Sequence, residues 1–196
     1  MIYILRVYVN DYRSFTMLAD ENNLEKWEKW RELFLSPRKF SNIWAPPEFF
    51  FFSGEKGERR KEARKPIPDF SGGYVVDCCS ERAKGVIEKL TGDQVEFLPI
   101  HTPVGMYYEM NLPIVDCLDE SKSEVKRFPS GKVMRIIRYS IHWERVEKHH
   151  LFWIKENGHS PAYVSEEMKQ LLESSHFPEL SFTPIPLVDE TSVPKG

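Results

Sequence analysis

The sequence is short of cysteine, of long apolar runs and of any large excess of one charge. It has three cysteines, Cys78, Cys79 and Cys117, an odd number. Neighbours such as Cys78 and Cys79 could bridge each other only at a strained geometry. So low a count fits a reducing compartment, and the cytoplasm is the expected location. No apolar stretch approaches the ~20 residues that cross a bilayer. The opening "MIYILRVYVNDYR" meets Arg6 and Asp11 too early for a secretory leader, so no membrane role is expected. With 27 basic and 30 acidic residues the net charge is −3, which argues against a dedicated nucleic-acid binder. Walker A, GxGxxG, GxSxG and HExxH patterns are all missing. No cofactor is expected.

What is present suits a soluble globular chain. Hydrophobic residues make up 41% and charged residues 29% of 196 positions, enough to bury a core. We expect a single α+β domain over residues 1–196, with a weak boundary near residue 65. The sheet should be mainly antiparallel, with helices packed on it.

"IYILRVYVN" reads as a strand, with Tyr3, Leu5, Val7 and Val9 on one face. "NLEKWEKWRELF" has a helical period through Leu24, Trp27 and Phe34. Four phenylalanines, Phe49 to Phe52, cannot all face inward on one strand. The charged stretch from Gly54 to Phe70 reads as an exposed loop, and its mixed charges weaken any phosphate-binding case for "RRKEARK".

The grammar is clearer from residue 74. "YVVDCC" is a short apolar strand, Ser80 a good N-cap, and Glu81 suits the positive end of a helix. Ala83, Val86, Ile87 and Leu90 fall on one helical face, Gly92 is the expected stop, and "VEFLPI" alternates like a strand. The same grammar returns in "YVSEEMKQLLESSHFPELSFTPIP". Ser165-Glu166 matches Ser80-Glu81, Lys169 matches Lys84, and Phe182, Pro184 and Ile185 match Phe97, Pro99 and Ile100, every pair 85 positions apart. We read two β-α-β-like units, about 74–100 and 159–185, around a central β-hairpin. That hairpin is "SEVKRFPSGKVMRIIRYSIHW", turning at Gly131, with Ile137, Tyr139, Ile141 and Trp143 expected on one face.

Few residues invite chemistry. Cys78 and Cys79 sit before a helix N-terminus, which lowers a thiol pKa, so a cysteine-dependent enzyme with a histidine base is one alternative. The other reading is a pair of small hydrophobes ending a buried strand, and the second copy carries Tyr163-Val164 there instead. The six histidines and three cysteines show none of the usual metal-ligand spacings. "VDCLDESKSEV" gathers Asp116, Asp119, Glu120 and Glu124. Asp119 suits a turn, whereas Glu120 and Glu124 could meet a basic partner. Trp27 and Trp30 are candidate aromatic anchors, although aromatics at helical spacing are more often core.

"PDFSGGYVVDCCSERAKGVIEKLTGDQVEFLPI", "YYEMNLPIVDCLDESKSEVKRFPSGKVMRI" and "PAYVSEEMKQLLESSHFPELSFTPI" resemble, in order, three segments of a bacterial immunity-protein family. That family was formerly a domain of unknown function, occurs beside polymorphic toxins, and is typified by a myxobacterial member. The resemblance covers roughly residues 68–187 and leaves residues 1–65 unassigned. It implies a cytoplasmic, non-catalytic antidote that binds and occludes a cognate protein toxin. A basic nuclease would fit an acidic anchor set of Glu120 and Glu124, with Trp27 and Trp30 as apolar anchors. The second alternative is a scaffold or binding module without a toxin.

Overall fold

A computed structural model describes residues 1–8, 10–16, 40, 44–51, 61, 63–72, 77–158 and 160–188. The tryptophan-bearing segment with Trp27 and Trp30, and the helix expected there, lie outside the described residues. The chain forms two compact units. One is drawn from Met1–Arg6, Pro113–Gln170 and Phe182–Gly196, the other from Val7–Leu112 and Leu171–Ser181. The fold is α+β with mostly antiparallel pairing, as expected.

The second unit contains a four-stranded sheet. Its strands are β4 (Phe70–Gly72), β5 (Asp77–Ser80), β6 (Glu96–Thr102) and β7 (Gly105–Asn111), in the order β4-β5-β7-β6. β7 pairs antiparallel with both neighbours. Helix α1 (Glu81–Thr91) joins β5 to β6. Ser80 caps α1, its side chain accepting from the Ala83 amide at 3.2 Å, and Gly92 ends it at φ 53°. Glycine adopts that left-handed geometry without a Cβ penalty. The buried helical line is Ala83, Ile87 and Thr91, with Val86 and Leu90 half-buried beside it. Thr91 can enter the interior because its hydroxyl donates to the Ile87 carbonyl at 3.1 Å. Two short strands, β2 (Phe15–Thr16) and β3 (Phe50–Phe51), pair antiparallel. Phe15 and Phe49 pack with Cys78, Ile100 and Tyr107 in one apolar cluster. Phe49 is buried while Phe50 is exposed, the alternation expected for that phenylalanine run.

The first unit is built on the sheet β13-β1-β12-β11-β8. Its strands are β1 (Ile2–Val7), β8 (Ile114–Val115), β11 (Leu151–Ile154), β12 (Tyr163–Ser165) and β13 (Leu180–Pro184). β1 and β11 are both antiparallel to β12, whereas β8 joins β11 in parallel. Helix α3 (Glu166–Ser174) links β12 to β13, and a single turn, α2 (Trp143–Val146), precedes β11. The core includes Ile2, Cys117, Tyr139, Phe152, Ile154 and Tyr163.

The expected repeat is structural. Ser165 accepts from the Met168 amide at 3.2 Å, as Ser80 does from Ala83. Ala83 and Met168, 85 positions apart, are both fully buried, and so are Ile87 and Leu172. Each unit is a β-α-β split by a third strand, β7 in one and β1 in the other. The likeness reaches that inserted strand. Tyr108 lies opposite Cys79, and Tyr3 lies opposite Val164. Tyr108 hydrogen-bonds Glu81, and the Tyr3 hydroxyl donates to Glu166 at 2.6 Å. Lys84 sits 4.5 Å from the Tyr108 ring centre, and Lys169 5.2 Å from that of Tyr3. Each set ties the first helical turn to the middle strand by a charge-assisted bond and a cation–π contact. The two caps should therefore respond alike. Ser80→Ala and Ser165→Ala are each expected to cost about 0.5–2 kcal/mol, read as a lower urea midpoint.

The central hairpin forms as expected, from β9 (Glu124–Arg127) and β10 (Val133–Arg138), with Gly131 at φ 84° in the turn. Its inner face differs from the alternation set out above. Ile136 and Tyr139 are buried, Ile137 and Ile141 are half-buried, and Trp143 is 46% exposed at the start of α2. Register shifts fall between Val133 and Arg135 and between Ile136 and Arg138. An extra residue at a bulge moves the following side chains to the other face, which a strict period of two cannot anticipate.

Candidate partner-binding surface

β5 is an interior strand, so Cys78 and Cys79 are held between β4 and β7, opposite Ser71 and Phe70 on one side and Glu109 and Tyr108 on the other. Cys78 is 2% exposed and Cys79 fully buried. Burial, with the nearby Glu109 charge, pushes the Cys79 thiol well above its usual value. Burial likewise pushes Cys117 up to about 12. Position before a helix N-terminus would lower a thiol pKa, but desolvation outweighs it here. In the native protein these cysteines should react with a water-soluble disulfide reagent at least about 100-fold more slowly than in denaturant. Stopped-flow absorbance checks that ratio. No group of three metal-ligating residues occurs among the described residues.

The acidic stretch lies on the surface of the first unit, and its charges are engaged locally. Asp119 shapes a turn, as expected, its carboxylate accepting from the amide and hydroxyl of Ser121 at 3.1 and 2.6 Å. Those bonds, led by the Ser121 hydroxyl, hold its carboxyl below the usual range. Asp116 accepts from Lys155 at 2.6 Å and lies 3.8 Å from Arg145. The Lys155 bond chiefly lowers its pKa. The two proposed acidic anchors are also paired. Glu120 bonds the Arg127 guanidinium, and Glu124 faces Arg138 across the strands at 3.7 Å. All four side chains stay 41–57% exposed, so these are solvent-screened pairs that orient the hairpin more than they stabilise it. Trp27 and Trp30 lie outside the described residues.

The geometry adds residues the sequence reading passed over. Inward, Val125, Val133 and Ile136 pack on the core of the first unit. Lys126, Arg135 and Arg138 point outward, Arg127 and Lys132 lie towards the turn, and all five are exposed, with Phe128 and Met134 47% and 42% exposed beside them. From Glu124 to Arg138 there are five cations and one carboxylate. The signal was present in "EVKRFPSGKVMRIIR". Turn chemistry dominates that stretch, and its excess of cations shows as a surface only when the strands are paired.

The described surface thus presents exposed charge and apolar side chains, and the three thiols are buried. The model of the Immunity protein family (Imm11) matches residues 12–186. The chain belongs to this family. The match starts well before residue 68, so it takes in most of the N-terminal part that the sequence resemblance left unassigned. A comparison with curated proteins gave no match. In this immunity protein no described helix is long and apolar enough to cross a membrane.

Proposed function

We propose that this immunity protein is a cytoplasmic, non-catalytic antidote that binds a cognate bacterial protein toxin and occludes it. The observation that carries the reading is the family match over residues 12–186. The burial of all three thiols supports binding over cysteine chemistry, since a nucleophilic thiolate needs access and a depressed pKa. Toxin–antidote interfaces of ordinary size bury ~1,600 Å² in total and depend on a few anchors.

The test is co-expression with the protein encoded beside it. Restored growth together with a stable co-purified complex is the expected result. A toxic neighbour that is neither bound nor suppressed, or a harmless neighbour, would remove the antidote role and favour a scaffold module. Substituting Cys78 and Cys79 by alanine should leave the rescue unchanged, while lost rescue by a folded variant would favour the enzyme.

A further inference from the structure

We infer that the outward face of the β9–β10 hairpin is the docking surface for an acidic segment of the partner protein. The inference rests on the antidote reading and assigns a face to it. Three observations converge. First, β9 and β10 form a two-stranded sheet of their own among the described residues, and Lys126 and Arg135 on its outer face are exposed, as are Phe128 and Met134 beside them. Second, the hairpin carries five cations and one carboxylate, Glu124, on a chain whose net charge is −3. Among the described residues Lys126, Lys132 and Arg135 have no carboxylate partner, while Arg127 and Arg138 are held by Glu120 and Glu124. Third, the strands set like charges against each other. Arg135 lies directly opposite Lys126, and both are exposed, while the adjoining pair, Ile136 and Val125, packs inward. Directly opposed like charges destabilise a sheet. The free protein therefore bears an unfavourable pair that a bound carboxylate would relieve.

Charges also guard open strand edges against aggregation. Guarding calls for no exposed Phe128 or Met134 among the cations, and those two enlarge the hazard instead. A cationic face with an aromatic at the turn and a flexible thioether beside it matches an acidic peptide segment with interspersed apolar residues. The cations would steer the encounter, and Phe128 and Met134 would provide the dry contact. Nucleic acid is the competing polyanion, but it carries no aliphatic side chains to cover Met134.

The test uses the full chain, isotopically labelled, titrated with a synthetic peptide of alternating glutamate and leucine. A parallel titration uses an oligouridylate of equal charge. Amide shifts should concentrate on residues 124–138, weaken with added salt, and be stronger for the peptide than for RNA. K126E replaces the opposed like charges with an attractive pair, so it should raise the urea midpoint while weakening peptide binding roughly tenfold. A merely structural role would not move those readouts in opposite directions. Absent shifts, shifts centred elsewhere, or tighter RNA binding would each overturn the assignment. In the co-expression assay K126E/R135E should lose rescue while remaining folded by circular dichroism. Full rescue by that variant overturns the hairpin's role and leaves the antidote reading standing. Failure of the unaltered protein to rescue counts against the antidote reading, and the peptide titration then decides the hairpin alone.

Discussion

Tyr163→Ala is expected to lower the unfolding free energy of the first unit by about 3–5 kcal/mol. Tyr163 is fully buried on the short strand β12. Its ring stacks on Phe152 at 5.9 Å and meets Tyr139 edge-on at 6.0 Å. Its hydroxyl lies 3.0 Å from that of Tyr139 and accepts from the Asn157 side-chain amide at 2.6 Å. Alanine would leave a cavity and remove the partner of two polar groups, one of them buried. The loss is comparable to a large part of a domain's usual stability of about 5–15 kcal/mol. Tyr163→Phe separates the two contributions. It keeps the ring and should cost about 1–3 kcal/mol, the penalty of unmet hydrogen bonds alone. Urea titration with an unchanged m-value measures both. Equal losses for the two variants would mean that packing contributes nothing.

Alkaline pH should unfold the protein well before its surface charges explain it. Each unit buries a thiol and a tyrosine with raised pKa values, Cys117 and Tyr163 in the first and Cys79 and Tyr107 in the second, and the first also buries Tyr139, raised by desolvation too. Desolvation is the leading cause at all five. For such groups the unfolded chain ionises first, so their stabilisation is fully present below the unfolded values and is lost as pH rises past them. Those values are 9.0 for cysteine and 10.0 for tyrosine. At ~1.4 kcal/mol per pH unit per group, each unit would lose at least about 4 kcal/mol by roughly pH 11. Far-UV circular dichroism between about pH 8 and 12 should show a cooperative loss of structure. Undiminished ellipticity and an unshifted urea midpoint across that range would contradict the burial of these groups.

Local signals were the legible ones. Ser80 and Ser165 were readable as caps because capping involves residues three apart, and both hydroxyls accept the expected amide. Gly131 was readable as a turn for the same reason, and it stands at positive φ. The acidic anchors were less legible. Glu120 and Glu124 resemble a partner-seeking pair in the sequence, yet they meet Arg127 and Arg138. Finding those partners requires knowing that the chain turns back at Gly131 and where its bulges fall. The thiols show the opposite effect. Local position suggested activation by a helix end, and burial between neighbouring strands overrode it.

By itself the sequence determined the two capped helices, their 85-residue repeat, the hairpin, the α+β class and the family resemblance, because each depends on near neighbours or on pattern along the chain. Only the tertiary structure decided which strand completes each repeat. Tyr108 reaches Glu81 from β7, which follows β6 directly, whereas Tyr3 reaches Glu166 from the start of the chain, 163 positions away. Strand pairing takes its hydrogen bonds from the backbone of every residue alike. Partner choice therefore follows from burial of whole faces and from loop closure. Within the hairpin the sequence announced, only the paired strands with their register shifts show that Arg135 lies opposite Lys126.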